Sequence, residues 1–293
     1  MLGEILTAVV TPFKADGSLD LDGFRALASH LVDSGSDGLV VTGTTGESPT
    51  LSDDERFALY EAALDEVGDR ATVVAGTGTY STDHSVHLTR RAHELGVHAF
   101  LVVTPYYSKP PVRGIVEHFK AIADVSDRPI VVYNIPSRVV LNLETEAIAE
   151  LAEIPTVGAV KQANADLGQA RAIVELGLDL YAGDDDLVLP FLELGGLGGV
   201  CVHTHVVGPQ VRELVRRYRE GDLEGARALD EELRPSIELL RVVTNPIAIK
   251  CALNLLGHEV GGLRLPLVEA TEVEREAVRG CLERLGLLQP AAA

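Results

Sequence analysis

The sequence predicts a (β/α)8 barrel followed by a helical C-terminal region. Short runs rich in β-branched residues alternate with amphipathic helical stretches, a pattern typical of βα units repeated around a parallel sheet. Eight such runs occur within roughly the first 220 residues, and eight βα units of this length are enough to close a barrel. We therefore expect a catalytic barrel over residues 1–221 and a helical region over residues 222–293 that packs on it.

Each element follows from its own stretch of sequence. The expected strands are Ile5 to Val10, Gly38 to Thr42, Thr72 to Ala75, Ala99 to Val103, Ile130 to Tyr133, Val157 to Val160, Leu180 to Ala182 and Gly199 to Val202. The expected helices include residues 21–34, 53–67, 83–95, 112–125 and 206–220. After Asp222 the pattern is helical only, with further runs at 246–256 and 273–285, which predicts about three C-terminal helices.

Composition limits the class of partner. The chain has 44 acidic and 25 basic residues, a formal net charge of −19, which argues against binding nucleic acid or an anionic membrane through a basic face. Its N-terminus does not resemble a signal peptide, and no apolar stretch approaches the roughly 20 residues that span a bilayer. Cys201, Cys251 and Cys281 are widely spaced, which predicts neither a disulfide framework nor a zinc site. These features predict a soluble, cytoplasmic protein with small-molecule substrates.

One lysine stands where chemistry is expected. The sequence has five lysines, and Lys161 ends the largely apolar run 156–160. An amine held there loses hydration, which favours the neutral form that attacks a carbonyl and forms a Schiff base. A strand-end lysine can also simply extend into solvent. Tyr133 ends the preceding strand in the same way, so if the two strands are parallel neighbours, an amine and a phenol share one end of the sheet.

The other strand ends carry further polar groups. In such barrels the reactive groups gather at the carboxyl ends of the strands. The second strand is followed by residues 43–48, where Thr44 and Thr45 lie between glycines and could bind a carboxylate, although the same residues suit a turn with a helix cap. The ends of the later strands carry Tyr107, Arg138, Gly183, Asp184, Asp185 and Val200. Together these groups predict a site for a small keto acid.

The adjacent acids Asp184 and Asp185 raise the question of a metal. We interpret them as caps for the following helix, because no histidine lies beside them at a metal-ligand spacing. His203 and His205 would share one face if they lay on a strand, but the sequence nominates no third ligand. We therefore expect no metal site.

At these residues the chain resembles the dihydrodipicolinate synthase and N-acetylneuraminate lyase family over essentially its whole length. Arg138 together with Thr44 favours the synthase branch over the sugar-acid lyases. The resemblance is carried by Gly43-Thr44-Thr45-Gly46-Glu47-Ser48, Thr104-Pro105-Tyr106-Tyr107, Tyr133-Asn134-Ile135-Pro136-Ser137-Arg138, Val160-Lys161, Gly183-Asp184-Asp185 and Asn245-Pro246-Ile247.

The resemblance implies a role for each catalytic residue. Lys161 would form the Schiff base with pyruvate, and Thr45 with its neighbouring amide would hold the pyruvate carboxylate. Tyr133 would carry protons. Thr44 would link Tyr133 to Tyr107, which reaches across from a partner subunit.

The resemblance also implies the second half of the reaction. Arg138 would bind the carboxylate of aspartate semialdehyde, and the carbonyl of Val200 and the space over Gly183 would complete the pocket. The implied product is 4-hydroxy-tetrahydrodipicolinate, on the route to diaminopimelate and lysine. No metal or organic cofactor is implied, and the implied assembly is a homotetramer, a dimer of dimers.

Two departures from the family pattern stand out. Gln162 follows the Schiff-base lysine, where the family commonly has Glu. Lysine-regulated members place Asn, Glu and His where this chain has Tyr80, His84 and Arg56, so an effector ammonium would lose a carboxylate partner. We expect weak or absent feedback by lysine.

Two other functions fit part of the pattern. An aldolase for 2-keto-3-deoxy sugar acids or N-acetylneuraminate would use the same Lys161 imine, but its polyhydroxylated aldehyde would favour neutral hydrogen-bonding groups over Arg138. A non-catalytic keto-acid sensor would need the carboxylate site alone, and the presence of Tyr107, Tyr133 and Thr44 together argues against it.

Overall fold

Eight parallel strands close into one barrel, as predicted. The structure is a computed structural model that describes residues 2–289. The strands follow one another around the barrel in chain order, and β1 pairs with β8 to close it. They are β1 Ile5–Ala8, β2 Gly38–Val41, β3 Thr72–Gly76, β4 Ala99–Val103, β5 Ile130–Asn134, β6 Val157–Gln162, β7 Asp179–Ala182 and β8 Gly198–Cys201.

Helices surround the barrel and cover its C-terminal side. Each predicted strand and helix lies within two residues of an observed one at either end. The helices are α1 Leu21–Asp33, α2 Asp53–Val67, α3 Thr82–Leu95, α4 Val112–Ala123, α5 Pro136–Val139, α6 Thr145–Ala152, α7 Leu167–Glu175, α8 Val188–Glu193, α9 Thr204–Arg219, α10 Leu223–Glu232, α11 Arg234–Arg241, α12 Ile247–Leu255 and α13 Glu272–Arg284.

Closure of the barrel depends on backbones that approach closely. The strands are buried on both faces, as parallel strands covered by helices are. At the β1–β8 seam a Cβ atom on Gly198 would lie 1.8 Å from the carbonyl oxygen of Glu4, so a larger residue would force the two backbones apart. The glycine at this position allows the last strand to pair with the first.

The C-terminal region contains four helices within residues 222–289, so the expectation of about three is wrong. Pro235 lies in the first turn of α11, where proline is well tolerated, and it separates α11 from α10. Side chains from the end of α11 and the loop after it, including Leu240 and Asn245, line the mouth of the barrel. The division into domains 1–221 and 222–293 stays a proposal, and its last residues, 290–293, lie outside the described part.

Among the helices of residues 2–289, none combines the length and the apolar character needed to cross a bilayer.

Candidate active site

Lys161 and Tyr133 lie side by side at the carboxyl ends of neighbouring strands. They are paired in register on β6 and β5, so the expected adjacency of the two strands is confirmed. Lys161 Nζ lies 4.2 Å from the centroid of the Tyr133 ring. Both residues are buried, with 4% and 5% of their surface exposed. Among residues 2–289, no group accepts a hydrogen bond from Nζ, so its lone pair or protons are free to meet a ligand.

A cavity of about 570 Å³ opens at this end of the barrel. It is walled on one side by strand ends and on the other by the C-terminal helices. Of the strand-end residues singled out from the sequence, those that line it are Thr44, Thr45, Tyr133, Arg138, Lys161, Gly183, Asp184 and Asp185. The structure therefore brings the amine, the phenol, two hydroxyls and a guanidinium to one space, while their chemical roles stay predictions.

Two predicted residues do not line this cavity. Tyr107 has a left-handed backbone, φ +72°, and is 94% exposed. Its neighbour Tyr106 turns the other way and packs edge-to-face on Tyr80, with ring centroids 5.5 Å apart. Val200 is buried within β8, and the wall beyond that strand is formed by Val202.

The turn that presents the two threonines is tight. It follows β2 directly, and the carbonyl of Gly43 accepts hydrogen bonds from the amides of Gly46 and Ser48 at 3.1 and 3.3 Å. Thr45 Oγ1 accepts a hydrogen bond from Asn245 Nδ2 at 2.8 Å. Asn245 Oδ1 is buried and has no hydrogen-bond partner among residues 2–289. Sequence reasoning used Asn245 only as a family marker and missed that it holds Thr45.

A buried ion pair fixes the other side of the same turn. Glu47 follows it in a left-handed conformation, φ +56°, with its side chain fully buried. Its carboxylate accepts hydrogen bonds from Lys250 Nζ at 2.9 Å and from the amide of Arg264 at 3.0 Å. Burial lowers the pKa of Lys250, and Glu47 opposes that change. We call Glu47, Lys250 and Arg264 the buried clamp.

Asp184 and Asp185 do not cap the helix that follows them, so that expectation is wrong. A 3-10 helix begins after Asp184 without a side-chain cap. Asp185 Oδ1 instead accepts hydrogen bonds from the amides of Val202 and His203, both at 2.7 Å, and so fixes the chain after β8. Asp184 lies at the cavity mouth, where partial burial and the charge of Asp185 raise its pKa and Lys161 opposes the rise.

Asp185 also meets a cysteine and a histidine. Within residues 2–289, the one group of three potential metal ligands is Asp185, Cys201 and His203, whose ligand atoms lie within 4.8 Å of one another. No histidine lies beside these acids at a metal-ligand spacing in the sequence, but folding brings His203 next to Asp185. Burial raises the pKa of the Cys201 thiol and lowers the pKa of His203, and the Asp185 oxygen already accepts two amides. A protonated thiol and an occupied carboxylate favour a structural role over a cation site.

His203 and His205 do not share one strand face, because β8 ends at Cys201 and α9 begins at Thr204. His203 Nδ1 lies 3.1 Å from the Ser236 hydroxyl. His205 Nδ1 bonds to the carbonyl of Val202 at 2.7 Å. The helix start sends the two rings in different directions.

The guanidinium of Arg138 is free in this site. Arg138 lies on α5 and lines the cavity, and within residues 2–289 its side chain forms no hydrogen bond or ion pair. The cavity's other arginine, Arg241, is paired with Asp186 at 2.6 Å. An anionic group of a ligand would therefore find one uncommitted guanidinium, and Arg side chains bind carboxylates through two parallel hydrogen bonds.

Comparisons with known proteins agree with one another. A sequence model described as the dihydrodipicolinate synthetase family matches residues 1–285. The 4-hydroxy-tetrahydrodipicolinate synthase of Moorella thermoacetica is 50% identical over 98% of this chain and 99% of its own length. The crystal structure of the synthase from Cyanidioschyzon merolae with lysine bound superposes with a TM-score of 0.96 at 39% identity, covering 98% of this chain and 99% of that one. A structure described as a monomeric dihydrodipicolinate synthase variant gives a TM-score of 0.95 at 40% identity and covers 98% of both chains.

Proposed function

The chain belongs to the dihydrodipicolinate synthetase family, and on that premise we propose that it condenses pyruvate with L-aspartate semialdehyde through a Schiff base on Lys161. The product is 4-hydroxy-tetrahydrodipicolinate. The observation that carries the proposal is a buried amine 4.2 Å from the centroid of a phenol ring, in a cavity that a guanidinium also lines, with neither cation paired to any group among residues 2–289.

The first half of the reaction activates pyruvate. Lys161 Nζ attacks the keto carbon, water leaves, and an iminium forms. The iminium withdraws electrons, a proton leaves the methyl group, and the result is an enamine. Thr45, held by Asn245 at 2.8 Å, presents a hydroxyl and its neighbouring amide to the pyruvate carboxylate.

Proton transfer falls to Tyr133. Its ring lies close enough to Lys161 for its hydroxyl to serve the carbinolamine and iminium steps through hydrogen bonds. Thr44 lines the same cavity and would connect Tyr133 to the phenol of Tyr107 from a partner subunit.

This relay makes assembly part of the function. The 94% exposure of Tyr107 in a single chain supports the idea that the residue serves a partner, and we propose a homotetramer built from dimers. Since a monomeric variant has the same fold, assembly needs its own measurement. Sedimentation velocity should give a tetramer, and a monomer with full activity would contradict the relay through Tyr107.

The second half of the reaction joins the two substrates. The enamine carbon attacks the aldehyde carbon of aspartate semialdehyde while Arg138 binds that substrate's carboxylate. The substrate's amine then attacks the iminium carbon, closes the ring and releases Lys161 as a free amine. We place this chemistry in the cytoplasm, a reducing compartment that suits the three buried free cysteines.

A borohydride trap tests the imine. Incubation with pyruvate and borohydride should add one reduced pyruvate to the peptide that contains Lys161 and none to the peptide that contains Lys250. Lys250 is a matched control because its amine is equally buried but paired with Glu47. Labelling of Lys250 alone, or of neither lysine, would contradict the mechanism.

An aldehyde panel then tests the second substrate. Aspartate semialdehyde should be turned over far faster than polyhydroxylated aldehydes, and Arg138→Ala should lower kcat/KM for it by about 100-fold, because a charge-assisted pair is lost. A preference for polyhydroxylated aldehydes would instead identify a sugar-acid aldolase that uses the same imine.

A further inference from the structure

Two buried amides lie directly behind the residues that face the cavity. Asn134 follows Tyr133 on β5, Gln162 follows Lys161 on β6, and the two amides are paired in register. Side chains alternate between the faces of a strand, so these amides point out of the barrel toward the surrounding helices. Neither has any exposed surface.

These amides take part in a closed ring of hydrogen bonds. The amide of Leu143 donates to Asn134 Oδ1 at 3.1 Å, and Asn134 Nδ2 donates to Gln162 Oε1 at 3.0 Å. Gln162 Nε2 donates to Gln169 Oε1 at 2.5 Å, and Gln169 Nε2 donates to the carbonyl of Leu143 at 2.6 Å. We call Asn134, Gln162, Gln169 and the Leu143 backbone the amide ring.

The ring joins two strands and a helix to the loop after α5. Asn142 extends it by accepting from Asn134 Nδ2 at 2.9 Å and from Asn164 Nδ2 at 3.1 Å. Two ionisable groups form hydrogen bonds to this network. Glu144 accepts one from the side-chain amide of Asn142, and Asp166 accepts one from the backbone N–H of Gln169. The ring itself is neutral.

The ring holds both ends of the segment of residues 134–143, which contains α5 and Arg138. Helix α5 has only four residues, and a single turn of helix is not stable alone. Val140 ends it in a left-handed conformation, φ +57°. The position of Arg138 therefore depends on Ile135 and Val139, which pack in the core, and on the anchors at the two ends of the segment, Asn134 on β5 and the fully buried Leu143.

From this geometry we propose that the amide ring is a positioning device for Arg138, and thereby for the carboxylate of the second substrate. The inference rests on the proposed function, since it assigns the ring to recognition of aspartate semialdehyde. The ring requires a side chain at position 162 that both accepts from Asn134 and donates to Gln169. Glutamine does this at every pH, whereas an ionised carboxylate can only accept.

The substitution Gln162→Glu opens the ring at one bond when the new carboxyl group is ionised. A buried carboxylic acid has a raised pKa, so Glu at this position is more protonated at about pH 6 than at about pH 8.5. At the higher pH, KM for aspartate semialdehyde should rise about tenfold relative to the unmodified chain, since a lost buried hydrogen bond has effects of this order. At the lower pH this rise in KM for aspartate semialdehyde should be smaller. KM for pyruvate should change less than about twofold at either pH.

A second variant and a control protect the test from a folding defect. Gln169→Glu opens the ring at the bond to Leu143. It should likewise raise KM for aspartate semialdehyde and leave KM for pyruvate nearly unchanged. Gln210→Glu makes the same chemical change on α9, away from the ring, and should leave both KM values unchanged. Equal rises in both KM values, or no change in either ring variant, would overturn the proposal.

Hydrogen exchange separates failure of the ring from failure of the proposed function. The Leu143 amide should exchange faster in Gln162→Glu than in the unmodified chain at about pH 8.5, whatever the substrate is. Unchanged exchange there would overturn the ring, whereas an unmodified chain that traps pyruvate but does not turn over aspartate semialdehyde would overturn the proposed function alone.

Discussion

Two lysines are buried within residues 2–289, and they have opposite surroundings. Lys161 lies at the cavity beside the Tyr133 ring, and no residue among 2–289 accepts a hydrogen bond from it. Lys250 lies on α12, and its Nζ donates hydrogen bonds to the Glu47 carboxylate at 2.9 Å and to the carbonyl of Gly262 at 2.5 Å. Each amine also lies over an aromatic ring, at 4.2 Å for Lys161 and at 4.4 Å from Phe13 for Lys250.

The difference separates a buried amine that a carboxylate holds in place from one that is left open to a ligand. Burial and an aromatic neighbour are common to both residues, so neither decides the outcome. The feature that differs is a carboxylate within hydrogen-bond distance, which holds Lys250 in place and opposes the lowering of its pKa by burial. Lys161 lacks such a partner and opens onto space that a keto acid can enter.

The largest expected effect is a loss of turnover when Lys161 is replaced by methionine. Lys161→Met should lower kcat by at least about three orders of magnitude, since no other amine in the cavity can form the imine. Its free energy of unfolding should stay the same or rise by up to about 1 kcal/mol, because an unpaired buried amine is replaced by an apolar side chain. Steady-state kinetics and urea unfolding measure the two quantities, and retained turnover would contradict the assignment of Lys161.

Lys250→Met should show the reverse pattern. It leaves the Glu47 carboxylate buried without its cation, which costs about 3–5 kcal/mol in the free energy of unfolding. The double variant Lys250→Met, Glu47→Gln should recover part of this loss, because the amide oxygen can still accept from the Arg264 amide. Urea titrations compare the variants. A loss no larger than that of Lys161→Met would mean that the pair contributes little.

Burial of His205 should have a smaller effect, which is a dependence of the free energy of unfolding on pH. Burial lowers the pKa of His205 from 6.5 to about 4, so between these values the unfolded chain binds more protons than the folded one. The stabilisation is present above about pH 6.5 and is lost as the pH falls toward 4. The contribution of His205 to the free energy of unfolding, measured by urea titration, should be about 2 kcal/mol smaller at pH 5 than at pH 7.5. His205→Gln should flatten that slope, and an unchanged slope would assign it to other groups such as His118, whose pKa burial also lowers to about 4.

The smallest expected effect is inhibition by free lysine. Free lysine should inhibit weakly or not at all, because its ammonium would meet Tyr80, His84 and Arg56 where it needs a carboxylate partner, and Arg56 carries a positive charge. Arg56 is buried and donates to the carbonyl of Ser48 at 2.5 Å, and His84 bonds to the Asp53 carboxylate at 2.8 Å. Half-inhibition at submillimolar lysine in a steady-state assay would contradict this prediction.

Local sequence patterns predict the surroundings of Lys161 but not those of Lys250. The strand runs and their ends are read directly from sequence, and in a parallel barrel all carboxyl ends meet at one face, so the pairing of Tyr133 and Lys161 follows from topology alone. The buried clamp could not be found this way. Glu47 and Lys250 are 203 positions apart, and each resembles a surface residue in its own segment.

The same limit explains the other corrections. Asp185 was interpreted through its immediate neighbours, whereas its partners are amides 17 and 18 positions away on the chain after β8. Asn245 reaches Thr45 across 200 positions. In each case tertiary folding supplies a partner that neither periodicity nor local motif indicates, while the strand-end positions of the reactive groups needed no such information.

The threonine turn after β2 is held by Asn245, Lys250 and Arg264, all in the last fifth of the chain. During synthesis on the ribosome, the eighth strand emerges before any of these three residues. We therefore expect a nascent chain that ends near residue 235 to contain every strand of the barrel while Thr45 and Glu47 still await their partners. Competence to bind pyruvate would then arise late in translation, when the final helices dock.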